Sequence, residues 1–192
     1  MTRFTKLLVT TAIVGVLGSV AAFGAFASFS ATTQNAGNEV SAGTVGLSNN
    51  SAGQALLSIT GATPGGSWTR CIKVTYNGTL PADVRTYLGG TTGALAPYLS
   101  LKIEEGTASG SDVFPQCTTF TPVNTIYDGP LSPAYHDYAS GLVTYPGGVA
   151  GPWTTGSSTV YRITASLSAS APNTGQAQST GVLTAFWEAH NQ

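Results

Sequence analysis

Glu188 and His190 stand two residues apart, a spacing that places both side chains on one face of a β-strand. A carboxylate beside an imidazole is the simplest pair that can hold a divalent cation. His136 and Asp137 supply a second pair from a stretch rich in turn residues, and these four are the one combination the chain could gather round a metal, since it holds only two histidines. The pattern extends to no catalytic motif. There is no His-Glu-x-x-His, which sets two imidazoles and a base on one helix face, and no Gly-x-Ser-x-Gly nucleophile elbow. Carboxylate–imidazole pairs near a chain end are mostly solvated surface groups. The expectation is therefore no catalytic residue, no cofactor and no resident metal.

Cys71 and Cys117 are the whole thiol inventory, without a Cys-x-x-Cys or a Cys/His cluster. An even count in an exported chain points to a disulfide, and closing so long a loop contributes about 3–4 kcal/mol by chain entropy. Export is read from the first residues. Arg3 and Lys6 form a positive start, the stretch from Leu7 to Phe26 is uncharged and strongly apolar, and Ala25-Phe26-Ala27 has the small-x-small form that a signal peptidase accepts, with Ser28 as the first mature residue. The run is long enough to span a bilayer, so a retained anchor is the rival reading. Gly15, Gly18, Ser19 and Gly24, together with the Ala-x-Ala ending, favour cleavage.

Residues 1–27 are thus read as a hydrophobic signal-peptide helix and 28–192 as a single domain, long enough for one well-buried core. Two of the seven Lys and Arg lie in the leader, leaving five against eight acids, a net charge of −3. An electrostatic nucleic-acid binder needs a basic face, which this balance excludes. The surface is instead Ser, Thr, Asn, Gln and Gly, which repels its own copies weakly and suits self-association. Contact with a membrane is expected only through the uncleaved leader.

The elements after the leader read as strands and turns. Ile72, Val74 and Tyr76 alternate with Cys71, Lys73 and Thr75. Leu99, Leu101 and Ile103 alternate with Ser100, Lys102 and Glu104, and Tyr161, Ile163, Ala165 and Leu167 with Arg162, Thr164 and Ser166. Residues 182–189 are apolar on both faces apart from Thr184 and Glu188, which predicts a central strand buried on both sides. Breakers such as Thr63-Pro64-Gly65-Gly66, Asn77-Gly78 and Tyr145-Pro146-Gly147-Gly148 separate these runs. Many short strands between turn clusters predict an all-β, antiparallel β-sandwich of jelly-roll type. Cys71 lies opposite the core-facing residues, so its bridge should pin the loop at Cys117 across the outside of the sheet. Trp68 and Trp187 fall among core-like neighbours and should be packed. Trp153 and the tyrosines Tyr127, Tyr135, Tyr138 and Tyr145 are the aromatics expected at the surface, where they would suit a cell-surface glycan- or wall-binding module.

The order of the pieces resembles the TasA/camelysin family with its SipW-dependent type of signal peptide. The leader ending Ala27-Ser28-Phe29-Ser30 is followed by Ser41-Ala42-Gly43-Thr44-Val45-Gly46-Leu47, similar to that family's first mature strand. Thr63-Pro64-Gly65-Gly66 is similar to its Pro-Gly-Asp turn, and Ile126-Tyr127-Asp128-Gly129-Pro130-Leu131 to its Tyr-x-Gly-x-Leu segment. Gly156 to Tyr161 and the closing Phe186-Trp187-Glu188-Ala189 complete the correspondence, which runs nearly the whole chain; the cysteine pair is not a general feature of the family. The resemblance implies a secreted jelly-roll subunit of extracellular matrix or biofilm fibres at the cell surface, with copies of itself and signal peptidase as partners. Assembly is by donor-strand addition, main-chain hydrogen bonds giving strength and alternating side chains filling grooves. The donor would be residues 28–47, anchored by Phe29, Val40, Val45 and Leu47; the same segment forming the domain's own first strand is the other reading. The resemblance also implies a second activity, that of a camelysin-type secreted metallopeptidase.

Overall fold

The computed structural model describes residues 43–57, 62–90, 93–109, 114–131, 136–172 and 183–192. The leader, its junction at Ala25, Ala27 and Ser28, and the anchors Phe29 and Val40 lie outside the described residues. Among the described residues no helix is long and apolar enough to cross a membrane.

The alternating runs become strands because β-branched and aromatic residues at every second position can bury one face of a pleated ribbon. In chain order the strands are β1 (Leu47–Asn49), β2 (Ser67–Tyr76), β3 (Ala82–Gly90), β4 (Leu99–Ala108), β5 (Phe120–Pro130), β6 (Leu142–Thr144), β7 (Ser158–Leu167) and β8 (Leu183–Asn191), with short 3-10 turns at Ala96–Tyr98 and Pro146–Gly148. They form two antiparallel sheets, β1-β2-β7-β4-β5 and β6-β3-β8. The all-β, two-sheet expectation therefore holds.

The larger sheet buries Ile72 and Val74 of β2, Leu99, Leu101 and Ile103 of β4, and Tyr161, Ile163, Ala165 and Leu167 of β7; Leu88, Leu142 and Trp187 of the smaller sheet pack against them. A second cluster joins Tyr76, Ala82, Val84 and Trp153. Each fully buried aliphatic side chain in such clusters contributes about 1.5–3 kcal/mol. Between β4 and β5 the register slips twice, after Ile103 and after Glu105. The backbones close up there, and a Cβ on Gly106 would stand 2.1 Å from the Thr121 carbonyl oxygen, so only glycine fits.

Two sequence expectations are corrected. β8 is not a central strand buried on both sides. Among the described residues it bonds to β3 alone, and Phe186 and His190 are exposed on its outer face. Trp153 is not a surface aromatic: it is 0% exposed, and its indole Nε1 donates to the Thr144 carbonyl at 3.0 Å. Its backbone exchanges two hydrogen bonds with Ala82, which draws the ring from its Gly-Pro loop into the core.

Candidate functional site

Two regions stand out as candidate sites. The first is a cleft between the sheets. Its volume is about 600 Å³. Its walls are the inner faces of β2, β4 and β7 (Ile72, Leu101, Ile103, Ile163) and of β3 and β8 (Leu88, Trp187), with Leu56 and Leu57 from the segment after β1. Such walls accept apolar side chains, and β8 alongside offers nine residues of backbone bonded on one side among the described residues.

The second region is the outer face of the three-stranded sheet. Register sets Tyr87 beside Phe186, Arg85 beside Glu188 and Asp83 beside His190. Tyr87 Oη donates to Glu188 Oε2 at 2.6 Å, and His190 Nε2 stands 2.7 Å from Glu188 Oε1. The Tyr87 hydroxyl first, and then His190, holds the Glu188 carboxyl below its usual range; the same bond pushes the Tyr87 phenol up. Tyr138 stacks on His190 with ring centroids 3.7 Å apart. Arg85 lies 5.0 Å from the Tyr138 ring centre and donates to the Tyr138 and Ala139 carbonyls at 3.3 and 3.0 Å.

The sequence-derived metal candidates divide. Glu188 and His190 meet as their spacing requires. Asp137 is taken up by Ser140, whose backbone N–H donates to Oδ1 at 2.8 Å and holds the carboxyl below its usual range. Among the described residues no three His, Cys, Asp or Glu side chains gather into a group able to hold a metal ion, so His136 and Asp137 do not complete a centre with Glu188 and His190. Cys71 and Cys117 are bridged, with Cα atoms 5.2 Å apart, and Cys71 N–H donates to the Pro115 carbonyl at 3.0 Å. With Phe120 and Val160 they cluster on the outside of the larger sheet, the position that strand alternation implied. Of the donor anchors, Leu47 opens β1 opposite Tyr76 and is half-buried, while Val45 is 40% exposed.

Sequence reasoning missed two neighbouring acids with opposite surroundings. Glu104 faces outward, accepts from Arg162 Nε at 2.7 Å and lies 3.1 Å from Lys102 Nζ; the Arg162 bond chiefly holds it below the usual carboxyl range. Glu105 faces inward beside Tyr161, 0% exposed, and accepts from Asn124 Nδ2 and Tyr145 N–H, both at 3.2 Å. Burial pushes it up. The signal was available, since Glu105 shares the parity of Leu99, Leu101 and Ile103. Above it the Tyr161 hydroxyl, driven far above the phenol range by burial, and the Trp187 indole N–H have no hydrogen-bond partner in the structure. A scan against protein-family models finds none that matches the chain, and no curated protein matches it.

Proposed function

We propose that this chain is an exported structural subunit, of the kind its resemblance to TasA/camelysin proteins implies, which polymerises outside the cell by donor-strand addition. The observation that carries this reading is the apolar cleft between the sheets, with the backbone of β8, bonded on one side among the described residues, beside it. A strand inserted there continues the smaller sheet by main-chain hydrogen bonds and drops alternate side chains onto Leu101, Ile103 and Ile163. Residues 28–47, freed by cleavage after Ala27, supply the donor. Leu47 is held at home in β1 opposite Tyr76, and Asn77 and Thr79 N–H donate to the Gly46 and Thr44 carbonyls, so of the anchors Phe29 and Val40 are the ones that reach the neighbour. The jelly-roll connection belongs to the same reading: β2, β3 and β4 alternate between the sheets, as do β6, β7 and β8, which supports a crossed-over sandwich. The low charge of the surface supports dense packing of copies, and the scarcity of histidine supports a structural role over a peptidase one.

Electron microscopy of residues 28–192 beside a chain starting at Leu47 tests the assembly. Fibres are expected from the first and not from the second, provided both give the same β-rich circular dichroism. Globular monomers from both at high concentration sink the reading. Chelator-sensitive casein cleavage that disappears on His136→Ala or His190→Ala would instead establish the peptidase.

A further inference from the structure

The outer face of the three-stranded sheet has features that the fibre reading does not use. Phe186 lies across β3 at Gly89, where a Cβ would come within 2.7 Å of its ring, and it remains 41% exposed. Tyr87 is stacked beside it, with centroids 5.2 Å apart and planes 15° from parallel. The two rings therefore stack on each other over the sheet, Phe186 the more exposed of the pair, and about 13 Å further along β8 the strip ends at His190 under Tyr138. Between them Glu188 is held by Tyr87 and His190 through one bond to each oxygen, which fixes its orientation while its side chain stays 39% exposed.

The charge of this face is acidic. Asp83 and Asp137 are exposed, and Glu188 is half-exposed; the facing cation, Arg85, is turned into the Tyr138 ring and two backbone carbonyls. The exposed large apolar side chains here are Phe186 and Val143, too few for the apolar centre of a protein interface. Flat rings flanked by oriented acceptors suit a ligand with apolar ring faces and many donors, and the acid excess suits one that carries cations.

We propose that this face binds an amino-sugar polysaccharide, a sugar ring packing on the exposed Phe186 ring that Tyr87 backs and the ammonium and hydroxyl groups meeting Glu188 and Asp83. The site does not depend on polymerisation, since all its residues belong to one chain. Glu188 supplies a fixed anion, and an ammonium over an aromatic face gains a cation–π contribution as well.

Calorimetric titration of the full chain with a glucosamine hexamer at pH 7 tests this. The hexamer should bind, and its N-acetylated counterpart and polygalacturonate should bind at least about tenfold more weakly. Phe186→Leu keeps Gly89 covered but removes the ring, and should weaken binding about tenfold; Glu188→Gln should weaken it about fivefold. Lys102→Ala, on the other sheet, should bind as the parent does, with thermal melts confirming that each variant folds. No binding by the folded parent overturns the proposal. So do equal affinity for the N-acetylated hexamer, indifference to both Phe186→Leu and Glu188→Gln, or tighter binding of a lysine-rich peptide than of the hexamer.

Discussion

On the solvent side of the five-stranded sheet the side chains are fastened to one another. Cys71 is bridged to Cys117, Arg162 is bonded to Glu104 and laid 4.8 Å from the centre of the Phe120 ring, and Thr69 is paired with Thr164 and Ser67 with Ser166, both at 3.0 Å. On the solvent side of the three-stranded sheet the polar groups are oriented by one another but still exposed, and beside β8 the backbone is bonded on one side among the described residues. The larger sheet spends its polar groups on internal cohesion and acts as a frame. The smaller sheet keeps them facing outward. This division also explains why a chain with so few charges can hold a sandwich together: the strong contacts are concentrated on one sheet.

The largest effect expected from breaking the frame is loss of the bridge. Cys71 and Cys117 are 46 residues apart, and opening a loop of that size should cost about 4 kcal/mol by chain entropy. Urea unfolding of Cys71→Ala/Cys117→Ala against the parent checks this, and alkylation without reductant should label no thiol. If the comparison holds, the double variant should bind the glucosamine hexamer as the parent does while it remains folded. A loss under about 1 kcal/mol would mean that the frame does not depend on its covalent tie.

Next comes Gly106→Ala. Its Cβ would meet the Thr121 carbonyl oxygen at 2.1 Å, and that partner is backbone, so β4 and β5 must part where the register slips. A destabilisation of about 3 kcal/mol is expected, read by the same urea titration. The equivalent change on the smaller sheet, Gly89→Ala, meets only the tip of Phe186 at 2.7 Å and should be milder, because a ring can swing away.

Glu104 and Glu105 sharpen the comparison within one strand. Glu104 is held below the ordinary carboxyl value of 4.5, so the stability it contributes is present above that pH and is lost as pH falls through its lower folded value. Glu105 is raised above 4.5, so stability is greatest below that pH and declines as pH rises toward its folded value. Unfolding free energies measured from pH 3 to 8 should show a shallower acid limb in Glu104→Gln, Asp137 and Glu188 keeping the rest, and a reduced decline above pH 4.5 in Glu105→Gln. The Glu104 effect should be about 1 kcal/mol, because Arg162 and Lys102 are partly solvated.

How far these features were legible in the sequence follows from what each depends on. β2, β4 and β7 declared themselves because their burial is one-sided and period two is all that one-sided burial needs. β5 did not: Pro122, Asn124 and Gly129 interrupt any alternation, yet an edge strand with register slips tolerates them. β8 was misjudged because Phe186 counts as core in any tally of hydrophobicity, whereas its ring covers a glycine on the neighbouring strand, a fact of pairing that no single strand carries. Glu188 and His190 were placed together correctly by spacing alone. Their partners Tyr87 and Tyr138 come from 101 and 52 positions away, beyond any local rule.

The smallest effect concerns the interior at the meeting of the sheets. The Tyr161 hydroxyl is buried without a hydrogen-bond partner, as is the Trp187 N–H beside it. A buried donor left unmade costs about 1–3 kcal/mol relative to one that is satisfied, whereas the ring beneath it gains from full burial. Tyr161→Phe removes the hydroxyl and keeps the ring against Ile163 and Trp187, so it should be neutral or raise stability by about 1 kcal/mol. That would be an unusual sign for a core substitution. Destabilisation of more than about 1 kcal/mol by Tyr161→Phe would show that the hydroxyl makes a bond in solution and that this end of the interior is as tightly fastened as the outer face of the larger sheet.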